Sequence, residues 1–106
     1  MSTLFIHSVY FRMHGALSAE QKAAFEVGLE KLGTIPVIRN FYYGTPAGTG
    51  REVVDNDYDY AWIVHFGSAA DHDIYQDHPI HLEFIDKYGD LWKEVKVFDV
   101  VAGEKD

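Results

Sequence analysis

The chain contains no cysteine, which excludes disulfides, a thiolate metal centre and a thiol nucleophile. Basic residues are also scarce: nine Lys and Arg stand against 17 Asp and Glu, for a formal charge of −8. A surface this acidic repels phosphate backbones and anionic lipid heads, so nucleic acid and membranes are poor partners. No apolar run approaches the ~20 residues of a spanning helix. The opening MSTLFIHSVYF carries no basic flank and reaches His7 at once, so it reads as neither signal peptide nor anchor. Cytoplasm is the expected compartment. Internal repeats, low-complexity tracts and linkers are lacking. The glycines of GTPAGTGRE are followed by no Lys-Ser or Lys-Thr and open no helix, so they form no phosphate loop. No G-x-S-x-G elbow offers a serine nucleophile.

Apolar and aromatic residues are abundant. They make up 47% and 15% of 106 residues, too apolar for disorder. The length suits one domain over 1–106, burying roughly 60–70% of its unfolded surface. The surplus of rings calls for a lined pocket or a subunit interface.

Residues 4–13 alternate, with Phe5, His7, Val9 and Phe11 facing one way and Ile6, Ser8, Tyr10 and Arg12 the other, which predicts a strand. Ser18 and Gln21 have capping-box spacing. Behind them Phe25, Gly28, Leu29 and Leu32 form one stripe of a helix over 18–32, and Gly33 is placed to end it in the left-handed conformation. Val37–Tyr43 reads as a second strand, 44–57 as a long loop and Tyr58–Phe66 as a third strand without a polar face. Ser68 and Asp71 repeat the capping-box spacing for a short helix running to about Gln76. Pro79 interrupts, and His81, Phe84, Ile85 and Tyr88 continue at helical spacing. Val95–Val101 is the last strand. The order β-α-β-β-α-β predicts a ferredoxin-like α+β fold. A sheet apolar on both sides calls for helices over one face and a second subunit over the other.

His81 lies on the apolar stripe of its helix, and His7 shares a strand face with Val9 and Phe11. Tyr75 closes the preceding helix. Two imidazoles and two phenols, those of Tyr75 and Tyr60, in an apolar space can run proton transfers near neutral pH. The catalytic candidates are His81, Tyr75 and His7; the ligand-contact candidates are Tyr60, Trp62, Phe84 and His78. The plain alternative is that each histidine is a satisfied core residue and each ring ordinary packing. His78 and His81 form an i, i+3 pair that could hold a metal with His7. The i, i+4 spacing and adjacent Glu of helical zinc sites are absent, so no metal is expected. His14, His65 and His72 are assigned to a turn, the outer sheet face and solvent.

Several segments together resemble the stress-responsive A/B-barrel (Dabb) family. They are HSVYF, SAEQK, IP before the second strand, YDYAWIVHF, VFDV and, above all, YQDHPIHLEF at Tyr75–Phe84. The resemblance implies a dimeric α/β barrel made of two ferredoxin-like sheets. The family includes heat-stable plant stress proteins and olivetolic acid cyclase, which closes a linear polyketide thioester by aldol condensation without a cofactor. By that likeness His81 takes the role of the key histidine, Tyr75 that of its tyrosine partner and His7 that of the first-strand histidine. The chain departs from the cyclase at Tyr60, where the enzyme has a histidine, and near Gly28 or Leu29, where it has a tyrosine. Some members hold a hard cation on backbone carbonyls, which would fall near Leu32, Ile35 and Ile38.

Two expectations stand side by side. One is a homodimeric, cofactor-independent cyclase or lyase acting on a small carbonyl, aromatic or polyketide-like compound. The other is a non-catalytic stress-response or ligand-binding barrel.

Overall fold

The computed structural model describes residues 3–103. Strand β1 (Thr3–Met13) leads through a turn to helix α1 (Ala19–Leu32). Strands β2 (Ile38–Gly44) and β3 (Tyr60–Phe66) follow, separated by the long loop. Helices α2 (Ala69–Asp77) and α3 (Pro79–Tyr88) then lead through a 3₁₀ turn, Gly89–Leu91, into strand β4 (Trp92–Gly103). The four strands form one antiparallel sheet in the order β2-β3-β1-β4, a ferredoxin-like α+β fold.

Local chemistry accounts for the boundaries. Ser18 and Gln21 form the full reciprocal capping box: the Gln21 amide donates to Ser18 Oγ at 3.1 Å and the Ser18 amide to Gln21 Oε1 at 2.9 Å. At Ser68 only half of the pair forms. Its hydroxyl accepts from the Asp71 amide at 3.1 Å, and the shorter Asp side chain returns no bond. Pro79 takes the first position of α3, where its missing N–H costs nothing.

Gly33 corrects an expectation. It ends α1 in right-handed, not left-handed, geometry (φ −67°, ψ −10°). Its missing side chain is explained by close approach, because a Cβ there would lie 2.4 Å from Cε1 of Phe41. The last strand begins three residues earlier than its apolar run, and the third begins two residues later than expected.

The helices cover one face of the sheet. Trp62, Tyr75, Phe25, Phe66, Leu29, Leu32, Ile35 and Val64 are fully buried between the layers. Gly28 sits on the buried stripe of α1, and the ring of Tyr88 from α3 occupies the space its side chain would need. The other face is uncovered in the single chain. There Tyr42, Phe98 and Val100 are about half exposed, at 52%, 57% and 49%.

Candidate functional site

Register decides which side chains meet. His7 of β1 lies directly between Val64 of β3 and Asp99 of β4, and Val9 lies between Trp62 and Val97. All six point to the helix-covered face, since side chains directly opposite in a ladder share a face. Helix α2 brings Tyr75 down onto this row, and α3 brings His81 and Phe84. Together they enclose a cavity of about 230 Å³ lined by His7, Trp62, Tyr75, His81, Phe84 and Asp99, with aliphatic groups of β4 along its outer wall.

At one end of the cavity, His7 is buried and its Nδ1 bonds to Asp99 Oδ1 at 2.6 Å. An ionised carboxylate can only accept, so Nδ1 carries the proton in this pair and Nε2 is left for other partners. In the middle is Tyr75, 1% exposed, whose hydroxyl accepts from Trp62 Nε1 at 3.0 Å. Burial pushes its phenol above the ordinary range, and the indole N–H pulls it back only in part. Tyr75 therefore keeps its proton, and because the indole bond uses a lone pair, that proton is free to be donated. His81 packs against it, with ring centroids 4.7 Å apart.

The Nδ1 of His81 is buried and bonded to nothing among the described residues. Burial holds its pKa below the usual imidazole value, with the Gln76 backbone pulling the other way. The nearby His7 and His72 lower it further. A neutral imidazole with an uncommitted nitrogen beside a protonated phenol is the arrangement that general acid–base chemistry requires.

Five of the seven expected site residues meet around this cavity: His81, Tyr75, His7, Trp62 and Phe84. Tyr60 and His78 do not. Tyr60 shares the face of Trp62 but pairs with Phe11, about 13 Å along the strand from the level of His7. Its hydroxyl donates to Glu26 Oε2 at 2.6 Å beneath α1. His78 stands at the joint of α2 and α3, where its Nδ1 accepts the Ile80 amide at 3.1 Å and caps α3.

Two residues that sequence reasoning passed over stand beside the site. Asp99 is the only acid in the stretch VFDVV, a signal that an apolar strand carries a polar group for a reason. His72, expected in solvent, is half-buried and stacks on Phe5 with ring centroids 4.5 Å apart. Its spacing to Tyr75 and Gln76, i+3 and i+4, marks a shared helix face. The carbonyls of Leu32 and Ile35, expected near a cation, accept the amides of Ile35 and Ile38.

The family model for the stress-responsive A/B barrel domain (Dabb) matches residues 5–102. The chain belongs to this family. Solved structures similar to this Dabb chain include a Dabb protein with a ferredoxin-like fold from Mesorhizobium loti. It is 21% identical with a TM-score of 0.78, over 96% of this chain and 99% of that one. A hydroxynitrile lyase from Passiflora edulis is 23% identical with a TM-score of 0.81, covering 96% and 95%. A dimeric ferredoxin-like protein of unknown function from Thermobifida fusca is 21% identical with a TM-score of 0.77, covering 93% and 91%. At these identities the likeness is one of fold. No curated protein sequence is significantly similar to the chain.

Proposed function

We propose that this Dabb protein is a cofactor-independent enzyme of the cyclase or lyase type, acting on a small neutral carbonyl compound. The observation that carries this reading is the buried, unbonded Nδ1 of His81 beside the protonated phenol of Tyr75. His81 removes a proton next to the carbonyl, and Tyr75 gives its proton to the oxygen where the enolate charge develops. His7, held by Asp99, orients the ligand. The resulting carbanion equivalent can close on, or be released from, a second carbonyl, so the proton balance needs no outside reagent.

The cavity lining argues the substrate class. No Lys or Arg reaches it, and one carboxylate does, so a carboxylate or phosphate substrate finds no counter-charge. A volume of about 230 Å³ lies just under the usual 300–1,000 Å³ of ligand sites, which favours a single ring over a long chain. Similarity of fold to a hydroxynitrile lyase supports carbonyl chemistry in this architecture.

The same reading makes the protein a homodimer. A second copy covers the open sheet face, where Tyr42, Phe98 and Val100 otherwise leave apolar surface in water. Three similar structures are described as dimeric.

The test follows deuterium exchange at the carbon between the carbonyls of β-diketones and aromatic β-keto thioesters by NMR, in wild type and His81→Ala. Exchange slower by about 10²–10⁴-fold in the variant is the expected result. Equal rates sink the catalytic reading. A ligand that raises the melting temperature equally in both proteins, without exchange, supports the non-catalytic binding barrel instead.

A further inference from the structure

We propose that His7, His72 and Asp99 form a binding site for a first-row divalent cation such as Zn²⁺ or Co²⁺ at the edge of the cavity. The three residues come from β1, α2 and β4, and one donor atom from each lies within 4.8 Å of the others. A tetrahedral ion at about 2.0–2.1 Å from each ligand needs them about 3.3 Å apart. Side-chain rotations close that gap: as the ion enters, His7 gives up its Nδ1 proton to solvent, the His7–Asp99 pair opens from 2.6 Å, and His72 moves inward. Two imidazoles with one carboxylate are a borderline ligand set that suits zinc, cobalt and nickel better than magnesium or calcium.

Three observations favour an ion over a simple hydrogen-bonded cluster. First, the two imidazole rings are 4.7 Å apart and the Asp99 carboxylate lies 2.6 Å from Nδ1 of His7, so nitrogen and oxygen donors from three elements already face one point. Second, the outer partners of a metal site are already present. The Gln76 side-chain amide lies 3.0 Å from Nε2 of His72; with its oxygen turned to that nitrogen it accepts the Nε2 proton and leaves Nδ1 for the ion, while Phe5 stacks on the ring and fixes its plane. Third, the Asp99 side chain is 39% exposed, giving an ion a route in from solvent, and the net charge of −8 concentrates cations at the surface.

The test is titration of untagged, chelator-treated protein with Zn²⁺ by calorimetry, alongside His72→Ala, Asp99→Asn and the surface control His14→Ala. One ion per chain is expected, with affinity falling at least ~10-fold in the first two variants and unchanged in the third. As a check that needs no mutation, Zn²⁺ should move the imidazole ¹⁵N resonances of His7 and His72 but not those of His14. No saturable binding, or binding that survives both substitutions with those resonances unmoved, overturns the proposal. Neither result bears on His81 and Tyr75, whose chemistry requires no ion.

Discussion

Tyr75→Phe separates catalysis from packing, because the structure assigns the hydroxyl one role in each. The ring stays in place, so the stability cost comes from Trp62, whose indole N–H loses its acceptor at 3.0 Å in a site where both residues are 1% exposed. A stranded buried donor costs about 1–3 kcal/mol. For a domain of this size that lowers the melting temperature by roughly 4–8 °C per kcal/mol. Starting from about 5–15 kcal/mol, the variant keeps at least ~2 kcal/mol, and more than about nine molecules in ten remain folded at 25 °C. Unfolding therefore explains no more than a fractional loss of rate, whereas loss of the proton donor removes about 10²–10⁴-fold. Urea denaturation and single-turnover deuterium exchange on the same preparation read the two effects separately. A stability loss within this range with exchange unchanged refutes the catalytic role of Tyr75 and leaves it as a bracket for Trp62.

Four further outcomes follow. Gly28→Ala gains up to ~1 kcal/mol of helix propensity but sets a Cβ 2.4 Å from Cε2 of Tyr88, whose ring is wedged against Phe25 and Phe84. Overpacking of about 1–3 kcal/mol wins, and a higher urea midpoint in the variant would contradict this. Stability should fall as pH drops below the ordinary imidazole value of 6.5, because burial lowers the folded-state pKa of both His81 and His72, so the unfolded chain binds more protons there. The loss continues until the folded-state values are passed, and a melting temperature flat between neutral pH and pH 5 argues against it. Phe98→Glu places a charge on the open sheet face where Phe98 is 57% exposed; light scattering should show the monomer mass, and an unchanged dimer mass removes that face from the interface. His81→Leu should abolish exchange while raising the urea midpoint, since it replaces an orphaned buried nitrogen with carbon; a lowered midpoint shows that the imidazole has a structural partner.

Much of the fold is legible locally. The alternation of Phe5, His7, Val9 and Phe11 sets β1, and the Ser18–Gln21 spacing sets the start of α1, because each depends on neighbours in sequence. What local pattern does not give depends on distant contacts. Gly33 has an ordinary helical φ, and only the ring of Phe41, brought over by β2, explains it. Tyr60 shares a face with Trp62, but face alone does not give position along the strand. Asp99 and His7 are 92 residues apart and meet only through the β1–β4 register. His72 appears exposed on the short, polar helix AADHDIYQD, and its burial becomes evident only once Phe5 and Phe66 lie beneath it. The inward direction of His81 was readable from Phe84, Ile85 and Tyr88; the absence of a partner for its Nδ1 was not.

That missing partner bears most directly on what the cavity is for. A buried imidazole nitrogen without a hydrogen bond costs about 1–3 kcal/mol, and a leucine in its place would cost nothing of the kind. Nearby polar groups show how the same core satisfies polar atoms when they serve structure: Ser8 donates to the Phe98 carbonyl at 2.9 Å, Trp62 to Tyr75, and Tyr60 to Glu26. His81 is the exception among buried side-chain atoms of the described residues. Its side chain lines the cavity together with those of His7, Trp62 and Tyr75. A local cost without a local return, placed where a ligand has room, is the physical signature of a site whose last hydrogen bond is supplied by what binds there.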